Sequence, residues 1–274
     1  MIRLISVLFA LSFSTLAFAQ DELPAPVKFG DSEFTFSRVE DDEIALSYNG
    51  TELYRNFFLS FDKIVKVEGQ DVALFSGGDG GNACGPASLI IYIPQNAPDP
   101  KMETVGADCG APDAAITDQR IVYVPYLRPG GTEIVQSWTP SNGLSQYGEI
   151  TFTPQPKTNW ASFKPGAAQH PYDVFDNKDI YDAAESLLGP AFDEVILGLS
   201  VSGEPQLIDN KYVAASGCQP HACSVAESFF GIDLEKHAVF AANRLSNVPE
   251  QFWPADFKSW PLPLQKAYEA SKNP

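Results

Sequence analysis

Two cysteines with four residues between them, a proline and a histidine among those four, pin one point of this chain into a turn. The ring reads Cys218-Gln219-Pro220-His221-Ala222-Cys223. A bridge between its ends closes a small loop. Pro220 fixes one φ angle inside it, and His221 stands at or near the tip. Such a ring presents one imidazole in one orientation, at little entropic cost on docking. Ile208-Asp209-Asn210-Lys211-Tyr212-Val213 leads in and Ser228-Phe229-Phe230-Gly231-Ile232-Asp233 leads out. Both stretches are strand-like, so the ring reads as the tip of a hairpin.

The compartment bears on whether the bridge forms. Residues 1–19 have the form of a secretory signal: Arg3, a mostly apolar run over 4–16, and the small-x-small site Ala17-Phe18-Ala19. The run is too short to span a bilayer, so the expected mature protein begins at Gln20 and is not inserted in a membrane. A leader this short suits the bacterial envelope, either the periplasm or export beyond it. Four cysteines in an exported chain suggest two bridges with three connectivities. Cys84–Cys109 and Cys218–Cys223 are the expected pairs, because each is local. The longer bridge contributes about 3 kcal/mol in the chain-entropy model, whereas the shorter one serves shape.

Charge limits the partners. The chain carries a formal net charge of −17, and loss of Arg3 with the leader gives −17 − 1 = −18. Nucleic acid is a poor partner for such a surface, since phosphates need Lys and Arg to neutralise them. An anionic membrane is equally poor, while a basic protein would be attracted and steered.

The pattern along the chain predicts α+β with two domains. Residues 20–155 read as an all-β domain, sandwich or barrel-like. Phe34-Thr35-Phe36-Ser37 alternates, and short apolar runs follow at 71–75, 89–93, 121–126, 134–138 and 150–153. Clusters such as Gly77-Gly78-Asp79-Gly80-Gly81-Asn82, 96–100 and Pro129-Gly130-Gly131 separate them. Residues 156–171, rich in proline, read as a linker in which Trp160 and Phe163 pack on a neighbour. Residues 172–274 read as a smaller α+β domain with an antiparallel sheet. Asp179 is the expected N-cap of a helix ending at Gly189-Pro190. Strands are expected near 194–199, 206–214, 226–234 and 238–242, with a hairpin turn at Asp209-Asn210. A short helix is expected over 262–271.

The ring and its flanking strands resemble the Ivy family, periplasmic inhibitors of vertebrate (c-type) lysozyme. That family carries a Cys-Lys-Pro-His-Asp-Cys loop between two strands. Cys218, Pro220, His221 and Cys223 match it, while Gln219 replaces lysine and Ala222 replaces aspartate. The resemblance covers about 206–242 and does not reach 20–155. It implies that the loop enters the lysozyme cleft and that its histidine bonds to the catalytic carboxylates. A basic c-type lysozyme is therefore the expected partner.

Other chemistries leave weaker marks. Thiol oxidoreductases use Cys-x-x-Cys, not this wider spacing between strands. Reduced Cys218 and Cys223 with His221 would offer soft ligands, but an oxidising compartment favours the bridge, and no metal or cofactor is expected. His170 and His237 lack visible partner ligands. Asp173, Asp176, Asp179 and Asp182 lack an EF-hand's spacing and suit a helix N-terminus. Asp79-Gly80-Gly81-Asn82 suits a tight turn. No usable catalytic signature appears, so an enzyme is not expected. The rival to an inhibitor is a non-catalytic envelope protein, binding glycan or peptidoglycan, whose ring is only a fold element.

Overall fold

The computed structural model describes residues 23–80, 84–95 and 97–272. The leader at 1–19, Gln20, and the Gly81-Asn82 part of the expected turn lie outside the described residues. The chain divides into two compact units, one ending at Asn56 and one beginning at Phe57.

The first unit is a four-stranded antiparallel sheet: β1 (Val27–Phe29), β2 (Ser32–Arg38), β3 (Ile44–Tyr48) and β4 (Thr51–Asn56), in that order. Phe29, Phe34, Leu46 and Tyr48 are buried. Phe34 and Tyr48 pack with ring centroids 5.1 Å apart. The Tyr48 hydroxyl donates to the Phe29 carbonyl at 3.0 Å, which satisfies its one polar atom inside the apolar patch.

The second unit opens with two further antiparallel sheets. The first runs β5 (Phe58–Val67), β6 (Gln70–Gly78), β7 (Ala87–Tyr92), β8 (Lys101–Val105). The second contains β9 (Ala114–Ile116), β10 (Ile121–Tyr123), β11 (Thr132–Thr139) and β12 (Gly143–Thr151), ordered β12-β11-β10-β9. One apolar cluster draws on both sheets: Val72, Leu74, Ile90 and Tyr92 from one, Ile121, Tyr123 and Trp138 from the other. Glu103 of β8 ties the sheets together. It accepts from Trp138 Nε1 at 3.0 Å and from the Leu144 amide at 2.8 Å.

The rest of the unit is built on one larger sheet. Helices α1 (Lys178–Leu188) and α2 (Phe192–Leu197) precede β13 (Val201–Ser202), β14 (Gln206–Ile208), β15 (Tyr212–Cys218), β16 (Ala226–Asp233), β17 (Ala238–Leu245) and β18 (Gln251–Trp253), and α3 (Leu262–Ser271) closes the chain. The strand order is β13-β15-β16-β17-β18, with β14 also paired to β15, and every pairing is antiparallel. Both faces of this sheet are covered. Phe230, Ile232, Val239 and Ala241 pack with Ile180, Ala184, Leu188 and Val195. Ala214, Phe229, Phe240 and Ala242 pack with Trp260, Leu264 and Tyr268. Burial on both sides is why the middle of β16, Phe229-Phe230-Gly231-Ile232, is unbroken by polar residues rather than alternating. The fold is thus α+β and mostly β: a multi-sheet N-terminal part precedes a C-terminal part with an antiparallel sheet and helices.

The Asp209-Asn210 turn is present, with φ of +52° and +55° at the two positions. The Lys211 amide closes it on the Ile208 carbonyl at 3.0 Å, with the two positive φ of a type I′ turn inside a three-residue loop that pairs Ile208 with Tyr212. Two local expectations are corrected. The cap of α1 is Asn177, not Asp179: its Oδ1 accepts from the amides of Asp179 and Ile180 at 3.1 and 3.3 Å. Asp179 lies in the first turn, where its carboxylate accepts from the Trp160 amide at 3.1 Å. The strand expected near 194–199 is helix α2 instead. Phe192, Val195 and Ile196 are buried at helical spacing, and Pro190 opens the 3₁₀ turn that feeds it.

The proline-rich segment 156–171 is woven into the C-terminal core. Trp160 and Phe163 pack against the cluster beneath α1. Asn177 Nδ2 donates to the Asn159 carbonyl at 2.8 Å, and the Lys178 amide donates to Thr158 Oγ1 at 2.7 Å. Among the described residues, no helix is long and apolar enough to cross a membrane.

Two stability changes follow. Phe230 is 2% exposed and packs on Phe175 at 4.8 Å. Phe230→Ala is expected to lower unfolding free energy by about 3–5 kcal/mol in a denaturant titration. Asn177→Ala removes the cap of α1 and is expected to cost about 1–2 kcal/mol by the same measurement.

Candidate functional site

The hairpin β15–β16 holds the ring in register. Cys218 pairs with Glu227 and Gly217 with Ser228. The Gln219 amide continues the ladder to the Ala226 carbonyl at 2.9 Å. The chain then turns within four residues, and the Ala222 amide returns to the Gln219 carbonyl at 3.1 Å. Pro220 and His221 occupy the two central positions, and His221 has φ of +61°. Proline followed by a left-handed residue is the pattern of a type II turn. Histidine is among the few non-glycine residues enriched in that conformation. Cys218 is bonded to Cys223, with Cα atoms 4.9 Å apart. The base of the loop is braced by Glu227, which accepts from the Ser224 amide at 3.0 Å and pairs with Arg244 on β17.

His221 is exposed, yet its imidazole faces another part of the same unit. Nε2 lies 3.8 Å from Cys84 Sγ and 3.7 Å from Cys109 Sγ. These two cysteines are bonded to each other, with Cα atoms 4.7 Å apart. Each is followed by a glycine. A Cβ on Gly110 (φ +92°) would lie 2.8 Å from the backbone of Gly85, so the two segments approach this closely because Gly110 carries no side chain. The Ala111 amide fixes the approach by donating to the Pro86 carbonyl at 2.9 Å. The repeated Cys-Gly dipeptide was the sequence signal for this contact. Nothing in the sequence pointed to His221 as its neighbour.

One ring nitrogen of this exposed imidazole is turned to the Cys84–Cys109 sulfurs. His221 gathers with Cys84 and Cys109, not with Cys218 and Cys223, and the three ligand atoms lie within 4.8 Å of one another. The other candidates serve the fold. His170 Nδ1 accepts from the Tyr172 amide at 3.2 Å, and its Nε2 meets the Ser200 carbonyl and Ser202 Oγ. His237, in a turn with φ of +52°, stacks on Trp160 at 5.1 Å. Asp173 accepts from the amides of Gln169 and His170, and Asp182 pairs with Lys178. Burial, then the neighbouring Asp173, holds the Asp176 carboxyl above its ordinary pKa.

Behind the ring lies a cavity of about 370 Å³, lined among others by Cys218, Cys223, Glu227, Arg244 and Tyr268. Burial pushes the Tyr268 phenol far above its ordinary pKa, with the Glu250 carboxylate acting in the same direction. It stays neutral across the physiological range.

Two family models match separate stretches of the chain. Residues 30–151 match the Y4bG N-terminal domain. A Sinorhizobium fredii (strain NBRC 101917 / NGR234) protein named "Uncharacterized protein y4bG" is 27% identical over 244 residues, covering 85% of this chain and 89% of the relative. No solved structure is a significant match. The family model Inhibitor of vertebrate lysozyme (Ivy) matches residues 179–274, so the C-terminal part of this chain, with its clamped ring, is Ivy-like.

Proposed function

We propose that this chain is an exported, non-catalytic inhibitor of c-type lysozyme, acting by insertion of the ring Cys218–Cys223 into the enzyme's cleft. The observation that carries this is His221, exposed at the left-handed position of a disulfide-closed turn, inside the segment that matches Ivy. A retaining glycosidase sets one protonated and one ionised carboxyl about 5–5.5 Å apart. An imidazole donates to the ionised one, and an imidazolium donates from both nitrogens. Such charge-assisted bonds are the stronger kind. The rigid turn restricts the imidazole before binding, so little freedom is lost on docking. No bond in the substrate is broken; the ring occupies the space the sugar needs.

Residues 1–19 act as the export signal in this reading, placing the protein in the periplasm or beyond. The acidic surface steers a basic lysozyme toward the ring. Gln219 and Ala222 stand where the family has lysine and aspartate, so this ring contributes its imidazole without flanking charges.

A second reading has its own observation. His221 Nε2 sits on the Cys84–Cys109 sulfurs, so the ring also works as a clasp between the β-rich part and the Ivy-like part. The two readings separate under one substitution. His221→Asn keeps a residue that tolerates positive φ while removing the imidazole. Inhibition of cell-wall lysis by a c-type lysozyme is expected from the wild type, weakened at least tenfold by His221→Asn with the unfolding midpoint little changed. A wild type that leaves lysis untouched at high concentration removes the inhibitor reading. A large fall in stability with inhibition intact identifies the clasp.

A further inference from the structure

We infer that Cys84, Cys109 and His221 form a redox-gated Zn²⁺ site, closed while the two cysteines are bonded and opened by a dithiol reductant. The assignment does not depend on lysozyme inhibition. The three residues come from loops distant in sequence, yet their ligand atoms gather within 4.8 Å. Among the described residues this is the group of His, Cys, Asp and Glu side chains that could hold a metal ion.

The separations fit zinc. With Zn–S near 2.3 Å and Zn–N near 2.05 Å, a tetrahedral centre needs about 3.6 Å between sulfur and nitrogen and about 3.8 Å between sulfurs. The two sulfur–nitrogen separations are already 3.8 and 3.7 Å. Only the sulfur–sulfur separation must change, and breaking one covalent bond releases it. The frame that holds the ligands is independent of that bond. The β15–β16 ladder and the backbone bonds from Gln219 to Ala226 and from Ala222 to Gln219 keep His221 in place whether or not Cys218 and Cys223 are bonded. The Ala111–Pro86 hydrogen bond and the close backbone contact of Gly85 with Gly110 keep the cysteine segments together. Cys109 and His221 are exposed and Cys84 partly so, so a reductant and an ion both have access.

The chemistry balances. One thiolate of the dithiol attacks a sulfur of the Cys84–Cys109 bond and forms a mixed disulfide. Its second thiolate then displaces that sulfur. Two electrons pass to the cysteines, and the reductant leaves as its cyclic disulfide. Its two protons end on Cys84 and Cys109. Zn²⁺ then takes both thiolates and the neutral imidazole, releasing those two protons to water. Three protein ligands leave a fourth position open to water.

The test uses the full chain, reduced with a dithiol that is then removed under inert gas, and titrated with Co²⁺, then Zn²⁺. One Co²⁺ per chain is expected, with thiolate-to-cobalt charge-transfer absorption that Zn²⁺ displaces and that oxidised protein does not give. Reduction also opens Cys218–Cys223, so two double variants assign the sulfurs. Cys218→Ser/Cys223→Ser is expected to keep the absorption, and Cys84→Ser/Cys109→Ser to abolish it. His221→Asn is expected to weaken binding at least tenfold, with circular dichroism unchanged. Absence of charge transfer in the reduced wild type overturns the site. So does absorption that follows Cys218 and Cys223, or affinity unchanged in His221→Asn.

Discussion

Burial of β16 on both faces fixes the position of the ring. Phe229 faces the core closed by α3, and Phe230 faces the core closed by α1 and α2. A slip of one residue in pairing would exchange the two faces and place each ring in the wrong core. The packing is close enough to enforce this: a Cβ on Gly231 would meet Leu264 at 3.1 Å. Eight paired positions with β17 and seven with β15 transmit the constraint to the ring. The disulfide shapes the last turn, but the strands decide where that turn stands.

The ring lands on a second pair of cysteines, and this sets the energetic terms of any outside contact. Sulfur in a disulfide is a weak acceptor. An ionised carboxylate is a strong one, and a hydrogen bond to a charged group contributes about 1.5–3 kcal/mol against about 1 kcal/mol for a neutral bond. In the proposed inhibitor role, Nε2 would exchange a weak acceptor, the Cys84–Cys109 sulfurs, for a strong one. The internal contact holds the imidazole without blocking it.

Much of the C-terminal fold was legible because its signals are local. Asp209-Asn210 between two strand-like runs dictates a type I′ turn, and Pro220 before His221 dictates the turn of the ring. The proline-rich joint was legible only as a break in pattern. Its anchoring of α1 through Asn159 and Thr158 depends on residues about twenty positions away. Helix α2 is illegible in the sequence because its six residues carry fewer than two helical periods, and Glu194-Val195-Ile196-Leu197 offers strand-forming residues. The buried spacing of Phe192, Val195 and Ile196 was the better guide. The Nε2 contact was not legible at all. It joins residues 137 and 112 positions apart, and their meeting results from two sheets and a hairpin that no local pattern relates.

The same nitrogen is claimed by each role of His221. Nε2 on the oxidised sulfurs is held by a weak acceptor and is readily given up. Nε2 on a zinc ion is held by a coordinate bond, and an imidazole so held cannot enter a foreign cleft through that atom. The redox state of Cys84 and Cys109 would thus set the availability of the ring. In an oxidising compartment the disulfide persists and the imidazole is exchangeable. Under a dithiol reductant with zinc present, the ring is fastened to the β-rich part. The turn itself needs only the φ of His221, which asparagine would supply equally well; the imidazole is what both proposed roles require.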